Sequence, residues 1–275
     1  MEFEHKPEKL LQNKVAIITG AAHGIGRGIA LEMAREGARV VIADINQKNA
    51  KATAQKLEQA KADFHLQKTD ISNEKDHQNL IEQTLKKFGK IDILVNNAAA
   101  WSGKTFRKIE PQELKKVVET NLTGTFLLTK SVAQEMIKTK TKGNILFITS
   151  IHNQLINRGP DYSSTKVAQT MMAREFAQDL SPYSIRVNTI APGAIDIDNQ
   201  HIESGKPSPL LHVPLGQKAG LPKDIARMAI VLTSEYWSPY VTGAIVKIDG
   251  GLSDVNWLSF EVPLDKPLKL PKARK

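Results

Sequence analysis

At 275 residues, with 41% hydrophobic and 24% charged side chains, the chain has the size and make-up of a globular protein with a sizeable core. It contains no cysteine, which excludes disulfides and thiolate metal sites, and no run approaches the ~20 apolar residues of a bilayer span. A net charge of +9 invites a nucleic-acid reading, yet Lys266, Lys269, Lys272, Arg274 and Lys275 crowd the last ten residues without an acid. No recognition motif or interleaved aromatic side chains accompany them. The opening MEFEHKPEKLLQNK lacks the apolar core of a signal peptide. The expectations are a cytoplasmic protein with no membrane or nucleic-acid partner, one domain over 1–263, and a basic C-terminal tail over 264–275.

Taken in order, short β-branched runs alternate with helical spacing. Strands are expected at 15–19, 39–43, 64–66, 91–95, 144–149, 186–190 and 244–248. Helices are expected at 26–36, 47–61, 74–88, 111–137, 162–180 and 222–233. Strands apolar on both faces belong between two helical layers. Repeated β-α-β order implies right-handed crossovers and a parallel sheet. The expected fold class is therefore α/β, a doubly wound Rossmann fold with a seven-stranded parallel sheet flanked by helices. The stretch 197–220, rich in proline and glycine, reads as a lid or binding loop.

The first strand runs directly into TGAAHGIG, Thr19 to Gly26, and then into a helix. Gly20, Gly24 and Gly26 permit a tight turn in which main-chain N–H groups approach a pyrophosphate, and the helix supplies its positive dipole end. Asp44 closes the second strand 18 residues after Gly26, near the ~20 expected of an acid that grips the adenosine ribose. A carboxylate there repels a 2′-phosphate, so NAD is preferred over NADP. Capping of the next helix is the alternative use of this acid, and His23 beside the phosphates argues for tolerance of NADP.

YSSTK places Tyr162 and Lys166 four apart at the start of a helix, on one face. A free phenol titrates near 10, too high for proton exchange at neutral pH. An ammonium ~4 Å away at an effective dielectric of ~20 contributes roughly 4 kcal/mol, or ~3 pK units. The pair is expected to make Tyr162 a usable acid or base.

With NNAA (Asn96 to Ala99), NLTG (Asn121 to Gly124), Thr149-Ser150 and APG (Ala191 to Gly193), these motifs fall in one order. In that order the chain resembles the single-domain branch of the short-chain dehydrogenases/reductases over about residues 13–252. The resemblance implies that Tyr162 passes the proton while Lys166 lowers its pKa and holds the nicotinamide ribose. Ser150 would hold the substrate oxygen, and Asn121 would anchor a water relay behind Lys166. His23, Ile25, Asp70, Ile71 and Asn97 join the glycines and Asp44 around the cofactor, with Pro192, Gly193 and Ile195 at the nicotinamide. A helix-bending asparagine and a turn cap are the alternatives for Asn121 and Asp70.

Three departures stand out. Ser150 precedes Tyr162 by one residue fewer than is usual, which makes Thr149 the competing hydroxyl. Ala99 replaces a glycine, and Ile197 stands where a threonine holds the carboxamide. The seven histidines show no ligand spacing, so no metal is expected. His152, with its polar neighbours, points to a polar substrate. The expected activity is NAD(H)-dependent interconversion of a secondary alcohol or hemiacetal and its carbonyl compound, with a sugar or polyol as a candidate substrate. A 3-oxoacyl thioester or ketone reductase using NADP(H), or a non-catalytic dinucleotide sensor, are the alternatives. A homotetramer or homodimer through helices 111–137 and 162–180 is also expected.

Overall fold

The computed structural model describes residues 7–156, 158–197, 213–216 and 218–255. Seven strands form one parallel sheet in the order β3-β2-β1-β4-β5-β6-β7. They are β1 (Val15–Thr19), β2 (Arg39–Asp44), β3 (Phe64–Lys68), β4 (Ile93–Asn96), β5 (Asn144–Ile148), β6 (Arg186–Pro192) and β7 (Ile245–Ile248). The helices are α1 (Gly24–Arg35), α2 (Gln47–Gln59), α3 (Glu74–Phe88), α4 (Pro111–Val118), α5 (Thr125–Lys138), α6 (Pro160–Leu180) and α7 (Pro222–Thr233). The expected doubly wound sheet is the observed one.

Strand alternation builds the two layers. Ala16 and Ile18 of β1 join Val40 and Ile42 of β2 under α1, α2 and α7. Val15 and Ile17 face the other way, with Val41, Leu94 and Phe147, against α3, α5 and α6. Each fully buried Val, Ile, Leu or Phe among them contributes ~1.5–3 kcal/mol. Prolines stand in the first turns of α4, α6 and α7, where a missing N–H costs nothing, and Gly89 ends α3 in the left-handed region.

Two helical expectations need correction. α1 starts at Gly24, so Gly24 and Gly26 belong to its first turn and not to the preceding loop. The helix expected over 111–137 is interrupted by a π turn, Glu119–Gly124. A Cβ on Gly124 would stand 1.9 Å from the Ile71 carbonyl oxygen, so the backbone there is pressed against the loop after β3. Most of the expected lid (198–212 and 217) and the basic tail lie outside the described residues. No described helix is long and apolar enough to cross a membrane.

The sheet order reverses between β1 and β4. The loops leaving β1, β4, β5 and β6 therefore meet at the carboxyl edge, where doubly wound sheets bind ligands.

Candidate active site

The turn after β1 is built by close main-chain approach. A Cβ on Gly26 would lie 2.2 Å from the Gly20 oxygen, and one on Gly20 would lie 2.9 Å from Ala98 Cα. Asn97 staples this turn to β4, its Nδ2 donating to the Thr19 and Gly20 oxygens at 2.9 and 3.2 Å. Thr19 returns the tie, its hydroxyl accepting from the N–H groups of Asn97 and Ala98. Gly24 sits under Ile197, whose Cγ2 would be 2.9 Å from a Cβ there. His23 is the exposed N-cap residue of α1.

Asp44 is buried, with Oδ2 accepting from Ala22 N at 2.9 Å and Oδ1 from Asn46 N at 2.7 Å. It does not cap α2. Asn46 does, accepting from Asn49 N. Asp70 closes its own turn, accepting from the main-chain and hydroxyl groups of Ser72. Both acids, with Gly20 and Ile71, line a cavity of about 600 Å³.

A second cavity of about 480 Å³ shares the Ala99 and Trp101 walls and is lined by Asn97, Ser150, His152, Tyr162 and Lys166. Ile25, Pro192, Gly193 and Ile195 close its other side. The glycine turn touches the first space and the first turn of α1 the second, so one continuous groove crosses the helix N-terminus. That arrangement fits an extended dinucleotide: an acid at one end, N–H groups in the middle and reactive side chains at the other end. Asn121, His23, Gly24 and Gly26 do not line either cavity.

Thr149 and Ser150 both line this cavity, with different hydrogen bonds. The Thr149 hydroxyl is turned into the sheet, where it donates to the Ile190 oxygen at 3.2 Å. Ser150 begins the turn after β5, its hydroxyl accepting from His152 N at 3.2 Å, and it lines the cavity together with Tyr162. Tyr162 lies between two rings, Trp101 at 6.2 Å and His152 at 5.6 Å between centroids. Lys166 is 2% exposed, its Nζ 5.4 Å from the Tyr162 ring centroid and donating to the Ile148 oxygen at 2.8 Å.

This pair does not behave as the sequence argument expects. Burial pushes the Tyr162 phenol up to about 12, and the Ser150 hydroxyl only partly opposes it. Burial pushes the Lys166 ammonium down to about 7. The simple Coulomb estimate holds the lysine's charge constant, but a fully enclosed ammonium loses its hydration and with it much of the leverage on its neighbour.

Asn121 lies in the π turn between α4 and α5. Its side chain staples the loop after β4, accepting from Ala100 N at 2.7 Å and donating to Ala100 O and Thr165 Oγ1 at 2.9 Å each. Its main-chain oxygen accepts from Gln169 Nε2 at 2.6 Å. Gln169 has no motif to mark it. Asp161 is equally silent in sequence, yet its Oδ2 accepts from Ser102 N at 3.0 Å and secures the loop that carries Trp101. Burial opposes the Asp161 charge, but hydrogen bonds from Ser102 and from the helix's first N–H groups hold its carboxyl below the usual range.

Comparison with known proteins places this architecture. The family model described as short chain dehydrogenase matches residues 14–206. The 3-oxoacyl-acyl-carrier-protein reductase of Thermotoga maritima is 32% identical over 245 residues, 88% of this chain and 98% of that protein. L-rhamnose-1-dehydrogenase of Scheffersomyces stipitis is 35% identical over 253 residues, 88% of this chain and 97% of that protein. A solved 7α-hydroxysteroid dehydrogenase, complexed with NADH and 7-oxo glycochenodeoxycholic acid, matches with a TM-score of 0.79 at 37% identity. It covers 88% of this chain and 94% of that one. The chain belongs to the short-chain dehydrogenase/reductase family, NAD(P)-dependent oxidoreductases acting on CH–OH groups.

Proposed function

We propose that the protein is an NAD(H)-dependent dehydrogenase that interconverts a polar secondary alcohol or hemiacetal, of the sugar or polyol class, with its carbonyl compound. The observation that carries this reading is the convergence of Ser150, Tyr162 and Lys166 on the second cavity. When bound, the cofactor supplies or accepts the hydride at the substrate carbon. Ser150 and Tyr162 then hold the substrate oxygen between two hydroxyls. In reduction, Tyr162 gives that oxygen its proton, and a phenol pushed up to about 12 stays protonated at neutral pH, ready to give it. In oxidation the phenolate is needed, so that direction is favoured by rising pH.

Asp44 supports NAD over NADP. Both of its oxygens are held by main-chain donors, which fixes the orientation of the carboxylate at the ribose end. A polar substrate is supported by His152 Nδ1, a buried atom without a protein partner on a ring 5.6 Å from that of Tyr162. Burial pushes the His152 imidazole down, favouring the neutral ring, which donates at one nitrogen and accepts at the other. The relationship to L-rhamnose-1-dehydrogenase agrees with this choice. A second reading, a bulkier ketone or 3-oxoacyl thioester, draws on Trp101 and Ile197, which stand exposed at the mouth. Exposed Leu114, Val167 and Met171 on α4 and α6 support a homodimer or homotetramer, which light scattering checks.

The test is NADH oxidation against a panel of sugars, 3-oxoacyl thioesters and steroid ketones, with Tyr162→Phe as the control. Turnover of a polyol or sugar substrate with NADH in preference to NADPH is the expected result. Undiminished turnover by Tyr162→Phe removes the catalytic assignment.

A further inference from the structure

One wall of the reaction cavity is an indole that the proposed chemistry does not use. Trp101 borders both cavities and is 60% exposed, with its ring centroid 6.2 Å from that of Tyr162. It is carried by residues 97–105, which form neither helix nor strand. Such loops are ordinarily the more mobile parts of a fold, yet both chain neighbours of Trp101 are pinned. Before it, Ala100 exchanges two hydrogen bonds with the Asn121 side chain. After it, Ser102 N donates to Asp161 Oδ2 at 3.0 Å. Two residues further on, Lys104 Nζ pairs with Glu113 of α4 at 2.7 Å.

Asp161 is suited to this hold. It is the second residue of α6, directly before Tyr162, where the helix dipole favours an anion. It is also 3% exposed, so packing fixes the side chain that reaches Ser102. A carboxylate accepts a main-chain N–H more strongly than a neutral acceptor does. The loop after β4 is thereby joined to the same turn of helix that presents the phenol, and Trp101 and Tyr162 share one frame.

We infer that Asp161 is a specificity-determining positioning residue: it latches the loop after β4 to the head of α6, so that Trp101 stands as a fixed wall on which a closed-ring substrate packs beside Tyr162. The inference rests on the sugar or polyol reading given above and narrows it to the ring form, a hemiacetal, over an open-chain polyol. A saturated ring presents C–H bonds on its faces, and the negative face of an indole attracts their hydrogens. Its hydroxyls stand at the rim, within the cavity that Ser150 and His152 also line. In oxidation, the hydrogen on the hemiacetal carbon leaves with its electron pair to the oxidised cofactor. The hydroxyl proton passes to the Tyr162 phenolate, and a lactone remains with its ring intact. An open-chain polyol offers similar hydroxyls but no face to lay on the indole, and it loses more conformational freedom on binding.

The latch is tested without substrate or cofactor. With Trp237 and Trp257 replaced by Phe, tryptophan fluorescence reports Trp101 alone. Asp161→Ala should free the indole, seen as a new fast component in its anisotropy decay. Asp161→Asn, which keeps an acceptor for Ser102 N, should restore the wild-type decay. If Asp161→Ala does not fold, Asp161→Ser takes its place, too short to reach Ser102 yet able to serve the first turn of α6. A wild-type decay in the variant without the latch, folded by circular dichroism, overturns the proposal.

Specificity is read from NAD reduction with ring sugars and with the open-chain polyols obtained by reducing them. Trp101→Ala and Asp161→Ala should each raise KM for the preferred ring sugar about fivefold to tenfold, with kcat changed less than about threefold. In the Trp101→Ala background, Asp161→Ala should add nothing, because it acts through the indole. Additive losses, or wild-type activity that does not favour the ring sugars, overturn the specificity role. Failure of the underlying catalytic reading shows instead as retained turnover in Tyr162→Phe, which the fluorescence measurement does not involve.

Discussion

The two ends of the groove are built from different materials. At the β1–α1 end the chain offers main-chain N–H groups, and glycines let strand, turn and helix touch at distances no Cβ allows. At the other end it offers side chains from β5, α6 and the α4–α5 turn, several of them buried ionisable groups whose protonation is bent by burial. The first end resists change by shape, the second by electrostatics. Substitutions in the first should alter cofactor affinity and folding together, and those in the second should alter the chemical step or its pH response while leaving the cradle intact.

The sharpest separation is expected from Tyr162→Phe. Loss of the phenolic hydroxyl removes general acid–base catalysis, worth about a hundredfold to ten-thousandfold in kcat. NADH affinity, measured by quenching of tryptophan fluorescence, should stay close to wild type, because the cradle is untouched. A comparable loss of NADH affinity would break the comparison by showing that the phenol belongs to the binding end as well.

Gly26→Ala tests the opposite end. Its Cβ would press on the Gly20 oxygen at 2.2 Å and on Asn97 Nδ2 at 2.5 Å. Main chain cannot swing aside as a flexible side chain does, so a destabilisation of about 1–3 kcal/mol is expected, with NADH binding weakened in parallel. A thermal-shift titration reads both effects. A variant with wild-type melting temperature and affinity would show that the close approach is not required.

This difference also explains what the sequence reveals. The cradle is written in consecutive residues, TGAAHGIG, because main-chain geometry depends on local glycine positions, and Asp44 follows from the fixed length of one β-α-β unit. Ser150, Tyr162 and Lys166 are legible because they too lie in short motifs at strand and helix ends. Gln169 and Asp161 are not. Their meaning lies in contacts to Asn121 and Ser102, 48 and 59 residues away, and nothing in their neighbourhood announces those partners. The depressed lysine and raised phenol are hidden for the same reason: the spacing of Tyr162 and Lys166 gives their proximity but not the depth of burial that reverses the expected shift.

Asp44→Ala should produce a smaller change confined to the adenosine end. Removing the carboxylate takes away the charge that disfavours a 2′-phosphate and also orphans the N–H groups of Ala22 and Asn46. NADH affinity should fall about tenfold, the equivalent of one charge-assisted hydrogen bond, and the preference over NADPH should narrow. Competition binding of the two cofactors measures it. An undiminished preference for NADH would assign the discrimination to another residue.

A pH slope in stability also belongs to the catalytic end. Burial lowers the Lys166 ammonium from 10.5 to about 7. Between those values the unfolded chain holds a proton that the folded chain does not, so stability rises with pH across that window, by up to about 1.4 kcal/mol per pH unit. Tyr162 acts in the opposite sense. Its phenol is raised from 10 to about 12 by burial, so the folded state keeps the proton longer and stability falls between those values. The pair's joint contribution is therefore greatest near pH 10. Lys166→Met should flatten the rise and leave the fall, whereas Tyr162→Phe should remove the fall and leave the rise, with denaturant midpoints measured from neutral to alkaline pH as the readout. A rise that persists unaltered in Lys166→Met would mean that the lysine keeps its charge in the pocket, and the electrostatic distinction between the two ends would then have to rest on the phenol alone.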